Sequence, residues 1–412
     1  MTARPFDSTL PFLREGYPFI SSRCAALGTD VFRSRLALRP VTFVRGAEAA
    51  AMFYDGEHFT RTAAMPPSVQ HLLQDAGSVQ ALDGAAHRHR KRAFLSLMTP
   101  AAMGRLGDLF EAEWRAAEAG WAGSRIVLHE AVREVLTRTA CRWAGVPLRE
   151  SEVRARTREL GLMIDGAGRF GPSNWYARAR RRRTERWAAG LIERIRAGQL
   201  LAVPGTAAQL FAHHVDEQGH RLPPEIAAVE LLNVLRPTVA VARFVVFAAV
   251  ALHQHPRWRT AFAAGDEEDL EPFVQEVRRF YPFFPAVPGR TTRAFAWGGH
   301  RFRKGEWVIL DLYGTCHDPR LWTDPDSFQP ERFRGWSWQE HPNTLIAQGA
   351  GDQDRDHRCP GEGSTVELLK RAVVLLATSK HEVPPQDLTI DLARMPTLPA
   401  SGFVMEGLRP RR

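Results

Sequence analysis

The chain has 412 residues, 44% of them hydrophobic and 25% charged, a balance that suits a large buried core and excludes a disordered or collagen-like polymer. A net charge of +9 comes mainly from arginine, but no zinc-finger spacing or RNA-binding aromatic motif goes with it, so nucleic acid is not the expected partner. The four cysteines, Cys24, Cys141, Cys316 and Cys359, form no C-x-x-C pair, which argues against a disulfide framework and against a zinc site.

The N-terminal stretch MTARPFDSTLPFLREGYPF holds no apolar core long enough for a signal peptide or anchor, so a soluble, reduced, cytoplasmic protein without stable membrane insertion is expected. Alternation over 36–46 predicts a strand pair or sheet edge. Helical periodicity follows at about 47–54, 87–98, 101–119, 125–145, 150–166, 177–198, 224–254, 267–280 and 363–379. Strand-like pieces lie at 293–311, folded at a Gly-Gly turn, and near 403–408. Arg178, Arg180, Arg181, Arg182, Arg183 and Arg186 read as a solvated helix face, or else as a surface that steers acidic substrates. No repeat or low-complexity linker divides the chain. The expectation is a single domain over 1–412, mainly α with a small β region.

The segment 224–254 opens on Pro224 and exits at His255-Pro256. At ~1.5 Å per residue it predicts a rod of ~45 Å. It is apolar nearly all round, which places it in the middle of the protein. Glu230, Asn233, Arg236, Pro237 and Arg243 argue against a membrane span. Pro237 removes the hydrogen bond to the carbonyl of Asn233 and predicts a helix break there. Beside it, Arg236 carries a charge that is costly to bury alone. One reading is an arginine that reaches the surface or pairs with an acidic side chain. The other, favoured by the adjacent break, is a guanidinium fork that holds a substrate carboxylate.

Further on, Glu276 and Arg279 stand three apart, neighbours on a helix face, and Pro330-Glu331-Arg332-Phe333 follows. Then comes a glycine-rich loop, Gln348-Gly349-Ala350-Gly351, leading to His357-Arg358-Cys359-Pro360-Gly361-Glu362. Cys359 precedes an apolar helix, whose free N–H groups and positive end favour a thiolate. The glycines would let backbone approach a flat ligand. A cysteine by itself is more often an inert buried side chain. Together, E-x-x-R, P-E-R-F and the H-R-C-P-G loop resemble the cytochrome P-450 superfamily over essentially the whole chain. The resemblance implies a cytochrome P-450 fold with haem b between the long central helix and the cysteine-loop helix. It implies Cys359 as iron ligand, and Glu276, Arg279 and Arg332 as a buried structural charge network. His87, Lys91, His357 and Arg61 are implied partners of the haem propionates. Without the resemblance, His87 and Lys91 read equally well as an exposed basic face.

Two departures narrow the resemblance. The acid–alcohol pair usual in the central helix is replaced by Asn233-Val234-Leu235-Arg236-Pro237-Thr238-Val239. The Phe usual seven residues ahead of the cysteine is replaced by Asp352, in an extended loop. Both features are similar to the bacterial fatty-acid peroxygenases. That subgroup implies hydrogen peroxide as co-substrate, a long-chain fatty acid as substrate, oxidation at the α or β carbon, and no obligatory redox partner. Arg236 would hold the carboxylate, which serves as the acid–base group, while Pro237 shapes the gap that admits it. Gln80 resembles a pocket position where glutamine accompanies hydroxylation and histidine accompanies decarboxylation, so terminal alkene is expected as a minor product; a loop glutamine facing water is the other reading. Leu73 is expected in the same pocket, and Gln74 departs from an aromatic usual there. Phe283 and Phe284, with Leu162 and Phe170, are expected along the acyl-chain channel. The rival readings are a reductase-dependent cytochrome P-450 monooxygenase and a non-catalytic haem or lipid carrier.

Overall fold

The computed structural model describes residues 7–409 apart from Ala76 and Phe170, so the expectation for Phe170 lies outside the described residues. The apolar segment 224–254 is the central element. By length and composition it could cross a membrane, yet 89% of its apolar window is buried inside the protein, as a core helix requires. The break is not where proline predicted it. One helix runs Pro224–Ala240 with Pro237 inside it, a turn falls at Val241, and a second helix runs Ala242–Gln254. Pro237 offers no N–H to the Asn233 carbonyl one turn earlier, and the Thr238 hydroxyl donates to the neighbouring Val234 carbonyl at 2.9 Å.

Helices Leu128–Trp143, Glu150–Asp165 and Pro172–Arg196 pack against the first half of this segment. Helices Pro256–Ala263, Leu270–Phe280 and Glu362–Thr378 pack against the second half. A mainly α fold with a small β region is therefore what the chain adopts. The largest sheet has five strands in the order Val31–Leu36, Arg39–Val44, Trp307–Asp311, Ala286–Thr291 and Phe59–Thr60. The first pair is antiparallel with Val31 opposite Val44, and Thr42 meets Val308 in a parallel pair. The predicted strand pair at 36–46 thus starts earlier, at Val31, and turns at Ala37 and Leu38, whose φ angles are 47° and 64°. Strand Ala286–Thr291 escaped the sequence reading because Pro288 and Gly289 interrupt its pattern.

Beneath the second half of the central segment, Glu276 is fully buried and pairs with Arg279 at 2.6 Å and with Arg332 at 3.4 Å. Arg279 also donates to the carbonyls of Cys316 and Pro325, both at 2.9 Å, tying three segments together. The arginine run sits on helix Pro172–Arg196. Arg182, Arg183 and Arg186 are exposed, as a solvated face predicts, whereas Arg181 is buried and donates to the Leu72 carbonyl at 2.6 Å.

Burial pushes the pKa values of His129, His214, His317 and His381 down to about 2, 4, 4 and 4. Between their usual value near 6.5 and those depressed values, the unfolded chain binds more protons than the folded one. Stability is therefore lost as pH falls through that window. Burial raises Glu185 to about 6 and Asp311 to about 7, which opposes the trend, but these groups are outnumbered. Thermal melts should give a lower midpoint at about pH 5 than at pH 7; an equal or higher midpoint would contradict this.

Candidate active site

Along the central helix, Glu230, Asn233 and Arg236 recur every third residue and so share one side. Glu230 is fully buried and accepts from Arg90 Nη1 at 2.7 Å, from the Val79 N–H at 2.8 Å and from Asn233 Nδ2 at 3.1 Å. Asn233 Nδ2 also donates to Gln80 Oε1 at 3.2 Å, and Asn233 Oδ1 accepts from Arg236 Nη2 at 3.3 Å. Arg236 Nη2 donates as well to the Leu73 carbonyl at 2.5 Å. Arg181 takes the neighbouring Leu72 carbonyl, so two guanidinium groups clasp the end of helix Pro67–Leu73.

Eight arginines are buried among the described residues: Arg90, Arg133, Arg156, Arg181, Arg236, Arg243, Arg278 and Arg279. Seven of them form an ion pair with an acidic side chain. Arg236 is the exception among the described residues. It is 6% exposed, its Nη2 rests on two neutral oxygens and its Nε has no partner. Burial, reinforced by the charge of Arg181, pushes its pKa down to about 9, and the charge of Cys359 pulls it back up. The guanidinium therefore stays cationic at neutral pH and lies within electrostatic reach of the sulfur.

Cys359 sits just ahead of helix Glu362–Thr378, and its N–H donates to the Gln348 carbonyl at 3.1 Å. Burial pushes the thiol up, outweighing the Gly361 N–H, Lys91 and Arg278, all of which favour the thiolate. The helix end alone does not make the thiolate; a coordinated metal cation would complete the deprotonation. Of the loop glycines, Gly361 is the one beside the sulfur, where a Cβ would stand 3.9 Å from Cys359 Sγ. Gly351 answers to the protein instead: its φ is 80°, and a Cβ there would meet Asp356 Oδ2 at 2.6 Å. Asp352 does not face the cysteine. Its Oδ1 accepts from the N–H groups of Asp354 and Arg355 at 2.8 and 2.9 Å, closing the extended part of the loop on itself.

His87 and Lys91 are 4% and 1% exposed, so they are not an exposed basic face. The His87 ring stacks on His357 at 3.8 Å, and His357 Nε2 lies 3.8 Å from Asp83 Oδ1. Lys91 donates to the Asp356 and Arg358 carbonyls. Arg61 Nη1 donates to the Pro288 carbonyl at 2.9 Å, with the guanidinium 4.3 Å from the Phe53 ring centre. Burial, and then mutual repulsion, push His87 to about 3; burial pushes His357 to about 4 and Lys91 to about 8. Lys91 and Arg61 supply positive charge here, and a ligand with two carboxylates would pair with them and favour protonation of the two histidines. The residues present therefore fit haem, which needs a thiolate for its iron and cations for its propionates.

The structure brings Arg236, Gln80 and Leu73 together, with Leu73 contributing its carbonyl. Leu162 packs against the cluster that holds Leu72 and Leu73. Phe283 stacks on Phe244 at 4.3 Å, and Phe284 is 37% exposed. Sequence reasoning missed the linking role of Asn233 and Glu230; a polar residue at every third position of an apolar helix was the available signal.

A cytochrome P450 family profile matches residues 270–388. Among solved structures, cytochrome P450SP alpha (CYP152B1) in complex with (R)-ibuprofen is 47% identical with a TM-score of 0.95, the match covering 98% of this chain and 99% of that one. The chain belongs to the cytochrome P450 family. As a cytochrome P450 it is a haem–thiolate oxidoreductase. Cytochrome P450EX alpha (CYP152N1) with myristic acid is 41% identical, with a TM-score of 0.95, over 99% of this P450 and 100% of that chain. A variant of cytochrome P450 OleT in complex with arachidonic acid is 33% identical, with a TM-score of 0.94, over 99% of both chains. Human cytochrome P450 26C1 is 26% identical over 439 aligned positions, 92% of this P450 and 82% of the relative. These matches bear out the resemblance to the bacterial fatty-acid peroxygenase subgroup.

Replacing Glu230 by leucine would strand the buried Arg90 cation and the Val79 N–H. A loss of about 3–5 kcal/mol in denaturant unfolding is expected for breaking such a buried pair. A loss below about 1 kcal/mol would mean that the pair behaves as a solvated surface bridge.

Proposed function

We propose that this P450 uses hydrogen peroxide to hydroxylate long-chain fatty acids at the α or β carbon, with the substrate carboxylate held by Arg236. The observation that carries the reading is the buried guanidinium without an acidic partner. A buried cation served only by neutral oxygens keeps much of its desolvation cost, which an anion arriving with the substrate offsets. Carboxylic acids are the ligands of the similar structures: (R)-ibuprofen, myristic acid and arachidonic acid.

Cys359 would ligate the iron, and His87, Lys91, Arg61 and His357 would meet the propionates. Haem b, when bound, supplies the redox chemistry by which peroxide oxidises a C–H bond. The overall balance is one H2O2 and one R–H giving R–OH and water. Arg236 orients the acid head-first, which brings the α and β carbons, rather than the chain end, to the reacting position. The same carboxylate takes a proton from one peroxide oxygen and returns it to the other, the acid–base task that no side chain of the central helix performs here. Thr238, whose hydroxyl is turned back onto the Val234 carbonyl, does not supply it. Pro237 follows Arg236 in the helix and shapes the gap for the head group. Gln80, whose oxygen accepts from Asn233, would serve the head group only as a neutral amide, which favours hydroxylation and leaves decarboxylation a minor route.

The test is turnover of a fatty-acid series with hydrogen peroxide alone, with products identified by mass spectrometry. Native enzyme should form α- and β-hydroxy acids without a reductase, and methyl esters of the same acids should be inert. Arg236→Ala should weaken fatty-acid binding at least about tenfold, in keeping with about 2–5 kcal/mol for losing one partner of a buried charged pair. Activity that depends on a reductase system and survives Arg236→Ala would favour the monooxygenase reading instead.

A further inference from the structure

A second polar arrangement lies on the other branch of the site, at the sulfur itself. Gln348 Oε1 accepts from Arg278 Nε at 3.0 Å. A guanidinium has donors only, so this contact assigns the oxygen and nitrogen ends of the amide. The Nε2 end then carries two hydrogens. One goes to Thr365 Oγ1 at 3.0 Å, and the other faces Cys359 Sγ at 3.9 Å, the long end of an N–H to sulfur contact. Arg278 is 1% exposed and is held in turn by Glu362 and Gln275. Glu362 accepts from Arg358 Nε at 2.7 Å, and the Arg358 guanidinium lies 3.6 Å from the Trp338 ring centre. Filling space beside the cysteine would need only an apolar side chain. Burying an amide and a guanidinium there is costlier, and the contacts aim one N–H at one atom.

We infer that Gln348 is a positioning residue that acts through Cys359: its amide donates to the iron-bound sulfur and reduces the electron density that the thiolate gives to iron. The inference rests on Cys359 as the ligand and is independent of whether peroxide or a reductase drives turnover. A donor to an anionic acceptor stabilises charge on that acceptor. Hydrogen bonds around a cysteine ligand are a recognised lever on metal potential. Arg278 and Thr365 fix the amide, so the donor does not rotate away when the charge on sulfur changes.

The test uses holoenzyme carrying Gln348→Leu, which removes the donor, and Gln348→Glu, which keeps the size and the partner for Arg278 but replaces the NH2 by oxygen. The readouts are the iron–sulfur stretching band of the ferric enzyme and the ferric-to-ferrous ratio at fixed applied potential. Both variants should shift the band to higher frequency. Both should raise the ratio roughly tenfold, ~59 mV for a one-electron couple. Native band and native ratio in both variants would overturn the inference. Loss of haem from both would mark a merely structural residue and overturn it too. If only the leucine variant loses haem, the glutamate variant decides. A native enzyme whose reduced carbon monoxide complex lacks a thiolate signature would overturn the ligand assignment and this inference with it.

Discussion

Among the described residues, one buried guanidinium has no acidic partner, and the proposed substrate site depends on it. Arg236 lies in an apolar helix, where its charge is expensive, and it is met only by the Leu73 carbonyl and the Asn233 amide oxygen. Each of the other buried arginines among the described residues has its carboxylate. The difference is chemical: a closed ion pair is finished structure, whereas a cation on neutral oxygens retains capacity for an anion. Glu230 could have been that anion, since it stands on the same helix face, but Arg90 and Asn233 already engage it. The protein thus spends its nearby carboxylate on holding the loop that carries Gln80.

Opposite demands are met at the sulfur. There the cations are close, the buried thiol resists ionisation, and Arg278 is neutralised by Glu362 before its Nε reaches Gln348. The site therefore combines an unsatisfied positive charge where a substrate head group would sit with a balanced, tightly hydrogen-bonded network around Cys359. The row Glu230–Asn233–Arg236 and the row Arg278–Gln348–Thr365 follow the same logic, in which an amide side chain passes the orientation set by an ion pair to a group that must face a ligand.

Much of this was legible before any coordinates. The central apolar segment, the E-x-x-R helix with its P-E-R-F partner, and the cysteine ahead of an apolar helix are local patterns, set by periodicity and by helix ends, and they reappear where expected. The extended loop read from Asp352 is explained by its structure: the stretch from Asp352 to Arg355 closes on itself and lies away from the sulfur. Gln348, farther back in sequence, is the residue that arrives there. Proline chemistry likewise predicts a kink at Pro237, whereas the helix runs on to Ala240 and the interruption falls at Val241.

The amino-acid order alone determined the long helices, which residue types could bind iron and an acid, and that an arginine lies in an apolar rod; short helices such as Pro67–Leu73 carry too little periodicity to show in it. Whether that arginine is neutralised was decided only by tertiary structure. Its Nη2 meets the Leu73 carbonyl at the end of helix Pro67–Leu73, and Asn233, its other partner, is itself bonded to Gln80; both segments are more than a hundred residues away in sequence. Ion pairing is set by distance and burial, and distance in space between remote segments is fixed only when the core packs.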